Sequence, residues 1–328
     1  MKVLITGTGL IGCYAAATLI DAGHDVVLFD LDPHSEYIKD VLGDQTADIR
    51  QGDIVNIGDL PEFASNSSGN KFDMVVHTAG VIGGNARANP YRAMRTNLVG
   101  TLELAEAASH AGVRRIVYAS THGVYALDRI KEPPFREDAQ VTAESVYGAS
   151  KLSSENILHS YSEVSGMQVV ALRFTNIYGY GEFIGGSSGG RSFQQLVVAA
   201  LNNESIPIPQ SLNGMGEWLY VKDAATAIRD ALEHALNRTF TLLNIGSGVL
   251  EDENDIVRAV QKWIPNAKFE VSKSSNTAQR STERFQPFDL TRARQEIGYN
   301  PKFNLISGVG DFINELNAGK NWRRVGKA

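Results

Sequence analysis

The chain has 328 residues, enough for one large core or for one core with a smaller lobe attached. Its 43% hydrophobic and 21% charged content is that of an ordinary globular protein, and the net charge of −6, with Lys and Arg scattered, argues against a nucleic-acid footprint. A single cysteine, Cys13, allows no internal disulfide and fits a reducing cytoplasm, and no apolar run approaches membrane-spanning length.

Lys2 to Thr6 reads as a buried parallel strand. The apolar start ends at once in Gly7-Thr8-Gly9-Leu10-Ile11-Gly12, which is no signal peptide. A helix follows to about Ala22 and stops at Gly23. Cys13 lies in it beside Ala15, Ala16 and Ala17 and is expected to be a small core residue rather than a nucleophile. The next strand, Asp25 to Phe29, ends on Asp30. Strand, glycine turn, helix, strand and acid make a dinucleotide-binding unit: glycines admit backbone to the pyrophosphate, and the helix start favours its charge. Gly7, Gly9, Leu10, Ile11 and Gly12 are therefore candidate cofactor contacts, and Asp30 is the candidate for a ribose hydroxyl. Asp30 is followed by Leu31-Asp32-Pro33 with no arginine, which would repel a 2′-phosphate, so the expected cofactor is NAD rather than NADP.

Strands at Phe72–Val76, Arg115–Ala119 and Met167–Leu172 alternate with helical stretches near 90–111 and 145–165. That alternation predicts a parallel sheet covered on both faces, with ligands outside the carboxyl ends of its strands. The second helical stretch opens with Tyr147-Gly148-Ala149-Ser150-Lys151. A tyrosine and a lysine four apart share one helix face. An ammonium there favours the phenolate and lowers a pKa that is otherwise about 10, giving a proton shuttle. The spacing alone is common on solvated helices; it gains meaning from the cofactor unit upstream.

Taken together, Gly52-Asp53-Ile54, His77-Thr78-Ala79-Gly80, Asn97 to Thr101, Tyr118 to Tyr125, Tyr147 to Lys151, Arg173 to Gly179, Tyr220-Val-Lys-Asp223 and Asn244 to Gly248 resemble the extended short-chain dehydrogenases, the NAD-dependent epimerase/dehydratase family. The resemblance runs from residue 1 to about 305. It implies that Tyr147 is the acid/base and that Lys151 tunes it and binds the nicotinamide ribose. Thr121, with Ser120 beside it, would position the substrate oxygen. By the same resemblance Asp53 and Ile54 are adenine contacts, Ala79 and Gly80 pass the pyrophosphate, Asn97 is a structural or cofactor-side amide, and Asn176 is a substrate contact. For Asn97 and Asn176 the plainer alternative is a buried amide that satisfies backbone.

Four departures from the family pattern bear on function. The glycine loop is one residue shorter than usual, so the turn should be tighter. His122 and Gly123 stand where water-eliminating relatives place Asp-Glu, which argues against a dehydratase. His122 either titrates near the reacting carbon or is a hydrogen-bonded structural histidine. Gly216 stands where nucleotide-sugar enzymes usually carry an arginine for the diphosphate, and Glu217 beside it is expected to repel such a group. Arg280 or Arg284 could still hold an anion. Finally, the usual Gly-Pro is missing at Gly179; a glycine-serine run leads to Arg191 before a helix near Ser192. The run reads either as a solvated linker or as a lid whose amides, with Arg191, close on a carboxylate or phosphate. Arg87, Arg92 and Arg95 offer a second cationic surface, or simply face solvent.

The expected architecture is α/β: a Rossmann-type doubly wound parallel sheet with a smaller C-terminal substrate-binding lobe. The NAD-binding part is placed at 1–178, with 212–248 returning to it, and the lobe at 179–211 and 249–320. The resemblance implies a homodimer through the two helical stretches. The expected reaction is hydride transfer at a carbinol carbon of a carbohydrate-type, anionic substrate, without a metal. The family's weight favours a nucleotide-sugar epimerase. The missing arginine favours a dehydrogenase of a free sugar, sugar acid or hydroxy acid. A non-catalytic NAD-sensing regulator is the distant alternative, disfavoured because Thr121, Tyr147 and Lys151 are all present.

Overall fold

The computed structural model describes residues 1–63, 71–125, 134–182, 187–270 and 287–318. In chain order it begins β1 (Lys2–Thr6), α1 (Leu10–Asp21), β2 (Asp25–Asp30), α2 (Ser35–Leu42), β3 (Asp48–Gln51) and β4 (Met74–His77). There follow α3 (Gly83–Ala88), α4 (Pro90–Met94), a π turn (Arg95–Val99), α5 (Gly100–Ala111), β5 (Arg115–Thr121), α6 (Val146–Ser165) and β6 (Gln168–Phe174). The second half holds β7 (Asn176–Tyr178), α7 (Ser188–Leu201), β8 (Ile206–Pro207), β9 (Gly216–Tyr220), α8 (Val221–Glu233) and β10 (Phe240–Ile245). It ends with β11 (Leu250–Glu251), α9 (Glu253–Trp263), β12 (Phe269–Glu270), α10 (Thr291–Ile297) and α11 (Leu305–Asn317).

Seven parallel strands form the main sheet in the order β3-β2-β1-β4-β5-β6-β10. The order reverses between β1 and β4, and that switch point is where such sheets receive ligands. Alternate residues of each central strand serve opposite cores. Val3 and Ile5 of β1, with Val117 and Ala119 of β5, pack on the side of α1 and α8. Leu4, Ile116 and Tyr118 pack on the side of α5. With both faces covered, the strands have to be apolar throughout, which is why they read as unbroken runs.

A three-stranded sheet, β11-β9-β7, and a two-stranded one, β12-β8, stand apart from the main sheet. The chain passes from the large sheet to the three-stranded one at Thr175, between β6 and β7. It returns to the large sheet with β10. Trp218 of β9 and Tyr178 of β7 bury against Phe193 of α7, so α7 covers this small sheet. Buried Arg115, at the start of β5, donates to the carbonyls of Ala231, Leu232 and His234 at the end of α8. A cation there satisfies carbonyls that the helix itself cannot and complements its dipole.

Candidate active site

The glycine turn follows from steric demand at two of its three glycines. Gly7 has φ of +90°, and a Cβ on it would lie 2.6 Å from Ala79 N. A Cβ on Gly12 would collide with the Gly7 carbonyl at 1.8 Å. Both glycines therefore let the start of α1 press against β1 and the Thr78–Ala79 backbone. Thr78 Oγ1 locks this approach by donating to the carbonyls of Thr6 and Gly7. Gly9 is different: a Cβ on it meets no protein atom within 4 Å. It precedes the first turn of α1, which no side chain caps. The amides of Leu10, Ile11 and Gly12 and the bare face of Gly9 thus leave a cradle of the kind a pyrophosphate fits. At the end of β2, Asp30 accepts from Thr8 N at 2.6 Å, from Thr8 Oγ1 at 3.1 Å and from Asp32 N at 3.0 Å. The carboxylate is thereby fixed beside the turn.

From the turn, a continuous set of contacts leads to Tyr147. Ala79 touches Gly7, and Gly80 lies so that a Cβ would sit 3.2 Å from Asn97 Oδ1 and 3.6 Å from Lys151 Nζ. Asn97, on the π turn, accepts from Val81 N and donates to Val81 O and to Ser150 Oγ. Its amide is fully engaged in holding the 79–81 loop against α6. Single π turns carry functional side chains more often than their rarity suggests.

Helix α6 starts with Ser145, whose Oγ caps Gly148 N. Gly148 is forced by its neighbour, since a Cβ there would stand 2.4 Å from the Gly123 carbonyl. This contact brings the first turn of α6 onto the end of β5 and sets Tyr147 hydrogen-bonding to Thr121. One turn further, buried Lys151 donates to Ala119 O at 2.7 Å, with its Nζ 4.6 Å from the Tyr118 ring centre and 5.9 Å from that of Tyr147. With the ammonium at that distance from the Tyr147 ring, other groups act more strongly on the phenol. Burial pushes the Tyr147 phenol up to about 12, and the group that opposes this is the Thr121 hydroxyl. The ammonium is turned onto a carbonyl and a ring face instead, and burial brings Lys151 down to about 7, with Glu155 acting against the fall.

The remaining candidates divide by what they touch. Ser120 Oγ donates to Glu155 and so faces away from Thr121's partner Tyr147. His122 donates from Nδ1 to Phe174 O at 3.1 Å, and burial lowers its pKa. Asp53 caps the turn after β3 through Val55 N, and Ile54 packs beneath Gly100. Half-buried Asn176 points its amide at Glu217 O across β7 and β9, at 3.3 Å. Ser187 caps α7, so Ser188 to Arg191 form the first helical turn rather than a linker, with Arg191 exposed. Arg280 and Arg284, and residues 185 and 186 of the glycine-serine run, lie outside the described residues.

Glu217, next to Gly216, is held by backbone. Its carboxylate turns away from the face of Gly216 and accepts from Gly248 N at 2.7 Å and Phe288 N at 2.9 Å, tucked under Gly246, where a Cβ would strike it. Burial raises the Glu217 carboxyl to about 7, and the backbone amides of Gly248 and Phe288 act against the rise. Sequence reasoning missed the buried pair Glu155–Arg173, joined at 2.6 Å and 3.0 Å. The signal was present as a third position on the Tyr147–Lys151 helix stripe. Among the described residues no group of three His, Cys, Asp or Glu could hold a metal ion, and no helix is long and apolar enough to cross a membrane.

Strand order, glycine turn and the acid at the end of β2 define a Rossmann-type α/β protein. Residues 3–246 match the model of the NAD dependent epimerase/dehydratase family, and the chain belongs to that family. It is 32% identical over 283 residues to the UDP-glucose 4-epimerase of Neisseria meningitidis serogroup C, covering 79% of this chain and 81% of that one. Among solved structures it resembles an epimerase from Methanothermobacter thermautotrophicus, with a TM-score of 0.80, 22% identity, and 99% and 94% of the two chains covered. It also resembles the UDP-glucuronic acid 4-epimerase of Bacillus cereus, solved with UDP-glucuronic acid and NAD (TM-score 0.75, 22% identity, 97% and 99% covered).

Proposed function

We propose that this chain is an NAD-dependent enzyme that oxidises a carbinol carbon of a carbohydrate-type substrate and, within that class, a nucleotide-sugar epimerase. One observation carries the reading: an unbroken set of contacts from the pyrophosphate cradle at Gly7 through Ala79, Gly80 and Lys151 to Tyr147 and Thr121. The relatives' activities support the substrate class.

NAD would be held by the amides of Leu10, Ile11 and Gly12, by Asp30 at a ribose, by the 79–80 backbone and by Lys151, with Asp53 and Ile54 toward the adenine. When bound, it would supply the hydride acceptor. The chain's own residues do the rest. Thr121 orients the substrate hydroxyl toward Tyr147, whose phenolic oxygen takes the proton on oxidation and returns it on reduction. Tyr147 carries its proton at neutral pH, as an ordinary phenol also does, and so is ready for the acid half of this cycle; for the base half it would first give that proton to solvent, and the Thr121 hydroxyl and the buried Lys151 cation would favour the phenolate that results. His122, with its Nδ1 proton given to Phe174 O, serves the shape of the site rather than proton transfer. The carboxylates needed to eliminate water have no counterpart at His122 and Gly123, so dehydration is not part of the proposal.

Asn176, at the end of the NAD-binding part, would contact the substrate, as would Arg191 and Arg284 from a lobe taken as 179–211 and 249–320. Gly216 supports a second reading, a dehydrogenase of a free sugar or sugar acid. Directly across the ladder from it stands Glu251, buried and with Oε2 unpartnered, where a diphosphate would favour a cation. A homodimer through α5 and α6 fits the exposure of Leu102 and Val164. Incubation with UDP-glucose, UDP-glucuronic acid and free sugars separates the readings. Inversion without net NADH supports the epimerase, and stoichiometric NADH from a free sugar supports the dehydrogenase.

A further inference from the structure

The inward stripe of α6 carries Tyr147, Lys151 and Glu155, one per turn, and each meets the end of β5 at a different place. Tyr147 meets the Thr121 hydroxyl, Lys151 meets the Ala119 carbonyl, and Glu155 accepts from Ser120 Oγ at 2.5 Å. Behind them Arg173 of β6 grips Glu155 with two nitrogens, and its Nη1 also donates to Glu137 O. Its guanidinium lies 4.7 Å from the centre of the Tyr125 ring. Lys151 and Arg173 are each 3% exposed and Glu155 4%. Two cations and one carboxylate are therefore buried together beneath the phenol. An uncompensated ion in such a place is expensive and gives up its charge where it can. A guanidinium cannot lose its proton at accessible pH, but a lysine can.

We propose that Glu155 is a positioning residue of the acid–base site: it is the counter-charge that keeps Lys151 an ammonium, and through Ser120 it holds the Thr121 strand end in register with α6. The proposal rests on the reading of Lys151 as the group that serves Tyr147. Among the described residues, the other titratable groups around Lys151 do not offer a second counter-charge. Tyr118, beneath it on β5, is a neutral phenol held by burial, and Tyr147 is likewise protonated. His77, at the end of β4, is bonded to Thr6 and Thr101 and kept neutral by burial and by Lys151 itself. Glu137 spends its carboxylate on Asn244 N and Arg292.

The test is an NMR titration of the full chain labelled with [13Cε]lysine, with the Lys151 resonance identified by Lys151→Met. In the wild type Lys151 is expected to titrate near 7. In Glu155→Gln the midpoint should fall by about one unit or more. Because that variant leaves Arg173 unpaired and can fail to fold, Glu155→Gln with Arg173→Met removes both charges and is expected to show a fall in the same direction, smaller because a repelling cation goes with the carboxylate. Ser120→Ala, which removes a neutral contact only, should leave the Lys151 titration in place. A Lys151 midpoint that is the same in wild type and in the folded Glu155 variants overturns the proposal. Absence of sugar turnover by the wild type would instead strike the proposed function, so the two failures are told apart.

Discussion

Tyr147 is set by its surroundings to be a weak acid: burial raises it to about 12, and Thr121 is the neighbour that pulls it back. Tyr147→Phe keeps the ring and removes the proton. We predict a loss of about 10²- to 10⁴-fold in turnover with little change in the thermal midpoint, read by coupled sugar assay and calorimetry. Unchanged turnover would move the proton to another group. At this scale Tyr147 and Lys151 were legible because their chemistry depends on spacing, which a sequence displays, whereas Thr121 came from the family resemblance alone. The Glu155–Arg173 pair was not, because a charged residue reads as solvated by default and only the packing shows that both are buried. The direction of the Tyr147 shift was equally hidden: helix spacing brings two residues to one face but does not say where an ammonium points.

At the scale of elements, three glycines act in three ways. Gly12 is required by the fold, Gly148 by the docking of α6 on Gly123, and Gly9 by neither. Gly9→Ala should therefore leave stability within about 1 kcal/mol of wild type, the cost of a poorer helix cap. NAD binding should fall at least about tenfold, because the Cβ enters the cradle. Titration calorimetry beside thermal melts checks both halves; equal NAD affinity would remove the cradle from the account. Gly148→Ala is predicted to behave oppositely, losing about 1–3 kcal/mol as α6 is pushed from β5, with turnover falling as Tyr147 leaves Thr121. The long strands of the main sheet were legible as apolar runs. The helical reading at 90–111 was right in kind but missed the π turn at Arg95–Val99, which has no composition of its own. The three-stranded sheet was illegible, since β7 and β11 have three and two residues and no periodicity to read.

For the molecule as a whole, the small sheet carries a pH liability. Burial raises Glu251 from its ordinary 4.5 to about 8, with Glu217 and Asp255 pushing the same way. The folded chain thus keeps a proton there that the unfolded chain has lost. That stability is full below the unfolded value and disappears as pH rises through about 8. We predict that the melting temperature of the wild type falls relative to that of Glu251→Gln between about pH 5 and about pH 8. A variant with the wild-type slope would place the titration elsewhere. The same residue lies across the ladder from Gly216, where the two substrate readings part, so its substitution is also informative about specificity.

The central claim is that the path from the Gly7 turn to Tyr147 serves reversible oxidation of a sugar carbinol in a nucleotide sugar. The most direct measurement is proton NMR of UDP-glucose and UDP-glucuronic acid incubated with the NAD-supplied protein, beside Tyr147→Phe, with absorbance followed for NADH. The expected outcome is inversion at one sugar carbon, no net NADH, and silence from the variant. Unaltered nucleotide sugars with the wild type, or equal turnover by Tyr147→Phe, would contradict it.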